Sequence, residues 1–354
     1  MSWRTGVTLF LVVAVMAAIA SATVAISRTP DLSLNADQSV RFGNLEQSHT
    51  SVTIVQGDSA AVIARRLLTS GAIGSASRFE LLTLLLGWES SLEPGSYSFE
   101  SGLTTYEILR RIHFGETSPL RVVIPEGLRL EQVTERLAEA GVVDRGEFAA
   151  ALEAAVESTV VGTLAARRPA HVSLEGYLFP SAYSFPLGTT ADEALRLMLQ
   201  RLDSVMTPQL WEQIAASGRS LHEILTIASI IEREVVEDSE RALVSAVIWN
   251  RLDAGMRLQM DSTVQYAVGT EGDWWKRELS GEDLAKESPY NTYYASGLPP
   301  TPIASPGLAS IAAAANPANV PYLFFFARGD GTHAFAVTFE EHQANAERYG
   351  GGSQ

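Results

Sequence analysis

The sequence predicts an α+β protein that consists of an N-terminal membrane-spanning helix, small α+β modules and a larger α+β domain. Three observations support this prediction: a long uncharged apolar run at the N-terminus, an internal repeat, and a change of residue pattern near residue 171. We therefore divide the chain into a stub with a membrane anchor (1–27), a linker (28–50), a repeat region (51–170) and the larger domain (171–349). With 354 residues, of which 46% are hydrophobic, the chain is long enough for two folded units.

The N-terminal run covers residues 5–27, which are mostly apolar and carry no charged side chain. About 20 such residues cross the core of a bilayer as a helix, so we expect a single-pass anchor in the cell (inner) membrane. A cleaved signal peptide is the alternative, because Ala-Ser-Ala at 20–22 resembles a cleavage site. Because Arg4 and Arg28 flank the run almost symmetrically, the positive charges give little indication of its orientation in the membrane. We expect a short stub inside the cell and the bulk of the chain on the extracytoplasmic side.

The internal repeat has an offset of 70 residues. Ile54, Gly57, Ile63, Leu67, Gly71 and Ile73 correspond to Ile124, Gly127, Val133, Leu137, Gly141 and Val143. In each copy the pattern predicts a short strand, a glycine turn, an amphipathic helix and a glycine stop. This arrangement is typical of small α+β carbohydrate-binding modules of the LysM kind. A duplicated scaffold that binds no ligand is the alternative.

In the larger domain, long apolar helices alternate with turns. Thr190 with Glu193 and Thr338 with Glu341 each predict a capped helix start. The apolar segment 221–236 predicts another helix. Near the C-terminus, two strands on either side of a Gly-Asp-Gly turn at 329–331 predict a hairpin.

Composition excludes several classes of function. The net charge is −15, from 26 basic and 41 acidic residues, which disfavours binding to nucleic acid. The absence of cysteine excludes thiolate metal sites, thiol catalysis and disulfides. His222 and Glu223 begin like a zinc-protease motif, but Thr226 stands where the second histidine is needed. No phosphate-binding loop is present, so we predict neither a metal nor a cofactor.

The helix at 221–236 carries a candidate acid, Glu232. At about 100° per residue, this side chain falls inside the apolar sector of the helix. A carboxyl group there loses hydration, which raises its pKa and keeps the proton that a general acid for glycosidic cleavage needs. The alternative is a structural glutamate paired with Arg251 or Arg257. Glu234 lies nearer the rim of the sector and is the weaker candidate.

Two polar clusters follow this helix. Gln259, Asp261 and Thr263 alternate, so we expect them on one face of an extended segment. The loop at 288–306 contributes amides, hydroxyls and tyrosine rings. Polar groups of this kind bind sugar hydroxyls, and aromatic rings stack on sugar faces.

At these residues the chain resembles the YceG-like family of endolytic murein transglycosylases. The shared motifs are LEGYLFP (174–180), ASIIERE (228–234), NRL (250–252), DSTV (261–264), SPYNTY (288–293), GLPP (297–300) and HAF (333–335). With the anchor and the repeat, the resemblance covers nearly the whole chain.

The resemblance implies a membrane-anchored enzyme that cuts nascent peptidoglycan strands internally, with peptidoglycan synthases as its expected partners. It places the catalytic glutamate at Glu232. This residue is expected to protonate the oxygen of the β-1,4 bond between N-acetylmuramic acid and N-acetylglucosamine. The same carboxylate then takes the proton of the muramyl 6-hydroxyl, which closes a 1,6-anhydro ring. The residues expected to hold the sugar are Gln259, Asp261, Asn291, Thr292 and Tyr293.

Two other functions stay open at this point. A non-catalytic wall-binding or divisome scaffold would use the repeat, with Glu232 as a structural residue. A hydrolytic muramidase would need a second carboxylate, for which Asp261 is the candidate.

Overall fold

A computed structural model describes residues 49–157 and 167–350 of the chain. The predicted membrane anchor and almost all of the predicted linker lie outside these residues. Within the described ranges, no helix has the length and apolar character needed to cross a bilayer. The chain divides into two compact units, Met1–Leu120 and Arg121–Gln354. The predicted repeat region, 51–170, is thus shared between the two units.

The first unit is a two-stranded antiparallel sheet covered by helices. Its elements are β1 (His49–Ile54), α1 (Ala60–Thr69), α2 (Ala76–Leu86), β2 (Gly95–Glu100) and α3 (Thr105–His113). The two strands pair from His49 opposite Glu100 to Ile54 opposite Gly95. Alternate strand residues point into the core, because successive side chains of a strand face opposite sides. The buried core consists of Val52, Ile54, Ile63, Ala64, Leu67, Ile73, Phe79, Leu82, Tyr97, Phe99, Ile108, Leu109 and Ile112.

The second copy of the repeat consists of β3 (Leu120–Ile124), α4 (Leu130–Glu139), α5 (Arg145–Glu157) and β4 (Ser181–Phe185). Because β3 pairs with β4, both copies have the order strand, helix, helix, strand. The predicted strand and first helix of each copy are confirmed. The sequence pattern at 92–99 predicts a turn and a strand, which β2 confirms. The second helix of each copy and the strand β4 were not predicted, and β4 comes from the segment we assigned to the larger domain. Similarity to LysM modules stays a prediction.

The rest of the second unit is mainly helical. Its elements are α6 (Ala191–Val205), α7 (Pro208–Ser217), α8 (Leu221–Glu234), a 3-10 turn (Asp238–Glu240), α9 (Arg241–Asp253), α10 (Asp261–Val268), α11 (Gly281–Leu284), α12 (Leu308–Ala315), β5 (Phe324–Ala327), β6 (His333–Ala336) and α13 (Phe339–Tyr349). The predicted hairpin is confirmed as β5 and β6, which pair with Ala327 opposite His333. Both predicted capping boxes are present at α6 and α13.

Helix α8 is the centre of this unit. Except for Glu223, every residue from Leu221 to Ile231 is buried, and the helix packs against α12 and α9. A capping box of Ser220 and Glu223 fixes its start. Val235 adopts an extended conformation, so the helix ends at Glu234 and not at residue 236 as the sequence pattern predicts. Glu234 therefore occupies the last helical position.

The segment after α9 does not form the predicted extended face. Gln259 has a positive φ of 51°, Met260 is extended, and Asp261 begins α10. The Thr263 hydroxyl is buried and donates to the Met260 carbonyl at 2.6 Å, which closes the turn. Gln259, Asp261 and Thr263 thus belong to a turn and the start of a helix, and Thr263 points inward.

Candidate active site

A cleft of about 1040 Å³ opens where α8 ends, and residues from several elements of the second unit line it. Its walls come from the C-terminus of α8, the turn before α10, the β5–β6 hairpin and α13. The lining residues that carry polar or titratable groups are Glu234, Arg251, Gln259, Asp261, Tyr293, Arg328, His333, His342 and Tyr349. Carboxyl, imidazole and aromatic groups thus meet in one concave surface.

Glu234 is the carboxyl group that α8 delivers to this cleft. Its Oε1 accepts a hydrogen bond from the backbone N–H of Ser262 at 3.2 Å, which ties the end of α8 to the start of α10. Burial raises the pKa of Glu234; the hydrogen bond to Ser262 opposes this shift, and the nearby charge of Asp261 adds to it. A carboxyl group that keeps its proton at higher pH is suited to act as a general acid.

Asp261 lies on the same cleft wall and is oriented by a tyrosine. The Tyr293 hydroxyl donates to Asp261 Oδ1 at 2.7 Å. Burial, followed by this hydrogen bond and the charge of Asp261, raises the pKa of Tyr293, so the tyrosine stays a donor. With Gln259, three of the five predicted sugar-binding residues therefore line the cleft.

The other two predicted sugar-binding residues do not reach the cleft. Asn291 and Thr292 are 0% and 1% exposed. The Asn291 side-chain amide donates to the carbonyls of Leu284 and Lys286, while the Thr292 hydroxyl accepts from the backbone N–H of Met260 at 3.0 Å. The Thr292 contact holds the turn that presents Gln259 and Asp261, whereas Asn291 ties its own loop to the end of α11.

Glu232, the acid predicted from the helical pattern, lies on a different side of α8. Its side chain is only 8% exposed, as the pattern predicts, but it does not line the cleft. Its Oε2 accepts from the backbone N–H of Gly307 at 2.9 Å and from the Ser310 hydroxyl at 2.8 Å, at the start of α12. It also pairs with Arg241 at 3.5 Å, and not with Arg251 or Arg257. This geometry favours a structural role for Glu232.

Two further carboxyl groups have raised pKa values but do not line the cleft. Burial, followed by the charge of Glu232, raises the pKa of Glu126. Glu175 is 1% exposed, accepts from the backbone N–H of Leu130 and from the Tyr266 hydroxyl, and has a pKa that burial raises to about 8. Among the residues that the structure describes, Glu234 is the acid with both a raised pKa and a place on the cleft wall.

Comparison with known proteins identifies the family of this chain. The profile of the YceG-like family matches residues 52–348. The chain belongs to the YceG-like family. The endolytic murein transglycosylase of Bacillus subtilis (strain 168) is 31% identical over 312 residues, which cover 84% of each protein.

Two further similarities concern streptococcal and listerial proteins. The endolytic murein transglycosylase of Streptococcus pneumoniae serotype 2 is 27% identical over 333 residues, 86% of this chain and 59% of that relative. A crystal structure of a YceG-like protein from Listeria monocytogenes has a TM-score of 0.56 and 32% identity, and it covers 84% of this chain and 99% of the other.

Proposed function

We propose that this YceG-like protein is an endolytic lytic transglycosylase that cuts the glycan strands of peptidoglycan internally. The curated relatives named above carry this activity in their names. The observation that supports it most is the position of Glu234, a carboxyl group with a raised pKa on the wall of a cleft that also contains Asp261 and Tyr293. A cleft of about 1040 Å³ is large enough for more than one sugar ring.

In the proposed reaction Glu234 acts as the general acid. It donates its proton to the oxygen of the β-1,4 bond between N-acetylmuramic acid and N-acetylglucosamine, and the bond from this oxygen to the muramyl C1 breaks. The muramyl 6-hydroxyl then bonds to C1 and closes the 1,6-anhydro ring. Its proton passes to a base, for which the Glu234 carboxylate and His333 are the two candidates in the cleft.

Because the attacking hydroxyl belongs to the substrate, positioning supplies much of the rate. Intramolecular attack becomes fast when the reacting atoms are held in a near-attack geometry. Gln259, Asp261 and Tyr293 offer an amide, a carboxylate and a ring for this purpose. The hydrogen bond from Tyr293 fixes the Asp261 carboxylate before substrate binds, which lowers the entropic cost of holding the sugar.

Product analysis on uncrosslinked nascent glycan tests this proposal. The purified chain should release fragments with 1,6-anhydro ends, detected by mass spectrometry. Fragments that are one water heavier would instead identify a hydrolytic muramidase, with Asp261 as the second carboxyl group. No release by a folded protein that still binds glycan would favour the scaffold function.

We also propose that residues 5–27 anchor the enzyme in the cell membrane with the cleft on the extracytoplasmic side, where nascent strands emerge from peptidoglycan synthases. A full-length protein fractionated with membranes and digested by external protease tests the anchor and its orientation. Recovery in the soluble fraction, or protection of the second unit in intact spheroplasts, would contradict it.

A further inference from the structure

His333 is a titratable residue on the wall of the cleft to which the sequence pattern assigns no role. It begins β6, is 8% exposed and lines the same cavity as Glu234. The edge of its ring packs against Phe325, with ring centroids 5.1 Å apart and planes at 82°. This packing fixes the plane of the imidazole.

Glu240 fixes the orientation of the imidazole within that plane. Its Oε2 lies 2.7 Å from His333 Nδ1, and both of its carboxylate oxygens also accept from the backbone N–H of His333, at 3.0 and 3.1 Å. The carboxylate therefore favours a proton on Nδ1. The neutral ring then carries a lone pair on Nε2.

The Nε2 atom makes no hydrogen bond with any residue that the structure describes. Other charged groups that line the cleft around the ring are Glu234 on α8, Asp261 on α10, Arg328 after β5, Arg251 on α9 and His342 on α13. A positive charge on His333 lowers the pKa of Glu234, so these two side chains interact across the cleft. An imidazole that a carboxylate orients, and that lines the same cleft as an acid, is a candidate general base.

We propose that His333, oriented by Glu240, is the general base of the reaction. This inference rests on the proposed function. While Glu234 protonates the leaving oxygen, Nε2 takes the proton of the muramyl 6-hydroxyl as its oxygen bonds to C1. The glycan then leaves as an anhydro end and a free 4-hydroxyl, and the imidazolium is stabilised by the Glu240 carboxylate. Transfer of this proton to Glu234, directly or through water, restores the starting state.

Chemical rescue tests this role. We expect His333→Ala to lower kcat by about 10²–10⁴-fold, the usual contribution of a general base, with a much smaller change in KM. Added imidazole should restore part of the rate, because the vacated space admits a free base. His333→Gln should stay inactive with imidazole, because its side chain fills the site.

Three controls make the outcome decisive. Glu234→Gln should not respond to imidazole, because imidazole does not replace the acid. Glu240→Gln keeps one oxygen that can accept from the His333 backbone N–H but loses the negative charge, so kcat should fall while the melting temperature changes little. Thermal unfolding of His333→Ala shows whether the variant is folded under assay conditions.

The results separate this inference from the proposed function. If the wild type releases no anhydro ends, the proposed function fails. If the wild type is active and His333→Ala is either fully active or folded but not rescued, the base assignment is overturned. If His333→Ala does not fold, full activity of Glu240→Gln overturns it, and a kcat loss without a KM change supports it.

Discussion

Replacement of Gly176 by alanine tests how closely the segment 174–180 packs against the 288–306 loop in the second unit. Gly176 lies in the segment 174–180 and has a φ of +77°, where an L side chain costs roughly 1–2 kcal/mol. An added Cβ would overlap the Cβ of Pro302 and lie 2.7 Å from its Cγ and 3.1 Å from the Ala304 carbonyl oxygen. Neither a proline ring nor a backbone can move aside cheaply, so overpacking adds roughly 1–3 kcal/mol.

The expected loss is therefore about 2–5 kcal/mol of unfolding free energy, or a melting temperature lower by about 4–20 °C for a unit of this size. Gly188→Ala is the matched control. Gly188 has a φ of +80°, but nothing lies within 4 Å of an added Cβ, so only the backbone cost of about 1–2 kcal/mol applies. Urea unfolding followed by circular dichroism measures both variants. Equal losses in the two would refute the packing part of the argument.

Three further predictions follow from the cleft and its supports. Tyr293→Phe removes the hydrogen bond to Asp261, so we expect KM for glycan to rise several-fold in steady-state assays. The free energy of unfolding should change by less than about 1 kcal/mol. An unchanged KM would argue against the positioning of the Asp261 carboxylate by Tyr293. Burial raises the pKa of Glu234, so the protonated acid that the reaction needs persists to a higher pH than for an ordinary glutamate. We expect kcat to fall as the pH rises through this pKa. A kcat that increases steadily to high pH would contradict this. Arg241→Met leaves the buried Glu232 carboxylate without its cationic partner and should lower the free energy of unfolding in urea by about 3 kcal/mol. Arg145→Met, which breaks an exposed ion pair with Glu271, should lower it by less than about 1 kcal/mol. Similar losses in the two variants would contradict the burial argument.

Local features of the fold could be predicted from the sequence because their causes are local. A hydroxyl residue followed three positions later by a glutamate marked the start of α6 and of α13, and a Gly-Asp-Gly turn marked the β5–β6 hairpin. The repeat was visible because each copy needs the same buried helix positions. The pairing of β3 with β4 could not be predicted, since a long segment separates the two strands.

The choice between two glutamates shows the limit of a helical pattern. The periodicity places Glu232 in the apolar sector of α8 and correctly predicts its burial. It does not show what covers that sector, which is α12 with Gly307 and Ser310 and not a cleft. Glu234 reaches the cleft because α8 ends there and the chain turns away. The sequence pattern did not indicate a role for Glu240, because its partner His333 lies far along the chain.

The polar cluster in the 288–293 loop was interpreted by residue type alone. Amides and hydroxyls bind sugars, but they also satisfy backbone groups in buried turns. Asn291 and Thr292 do the latter, and only Tyr293 of the three lines the cleft. Which of these roles a polar side chain takes depends on tertiary contacts that a sequence pattern does not contain.

The most direct test of the central claim compares Glu234→Gln with Glu232→Gln in the release of anhydro ends from nascent glycan. We predict that Glu234→Gln lowers kcat by at least about 10²-fold with an unchanged melting temperature. Glu232→Gln should retain most of the activity and lose stability, because it weakens the contacts with Arg241 and α12. Full activity of Glu234→Gln, together with an inactive but equally stable Glu232→Gln, would contradict the assignment of the acid to the cleft.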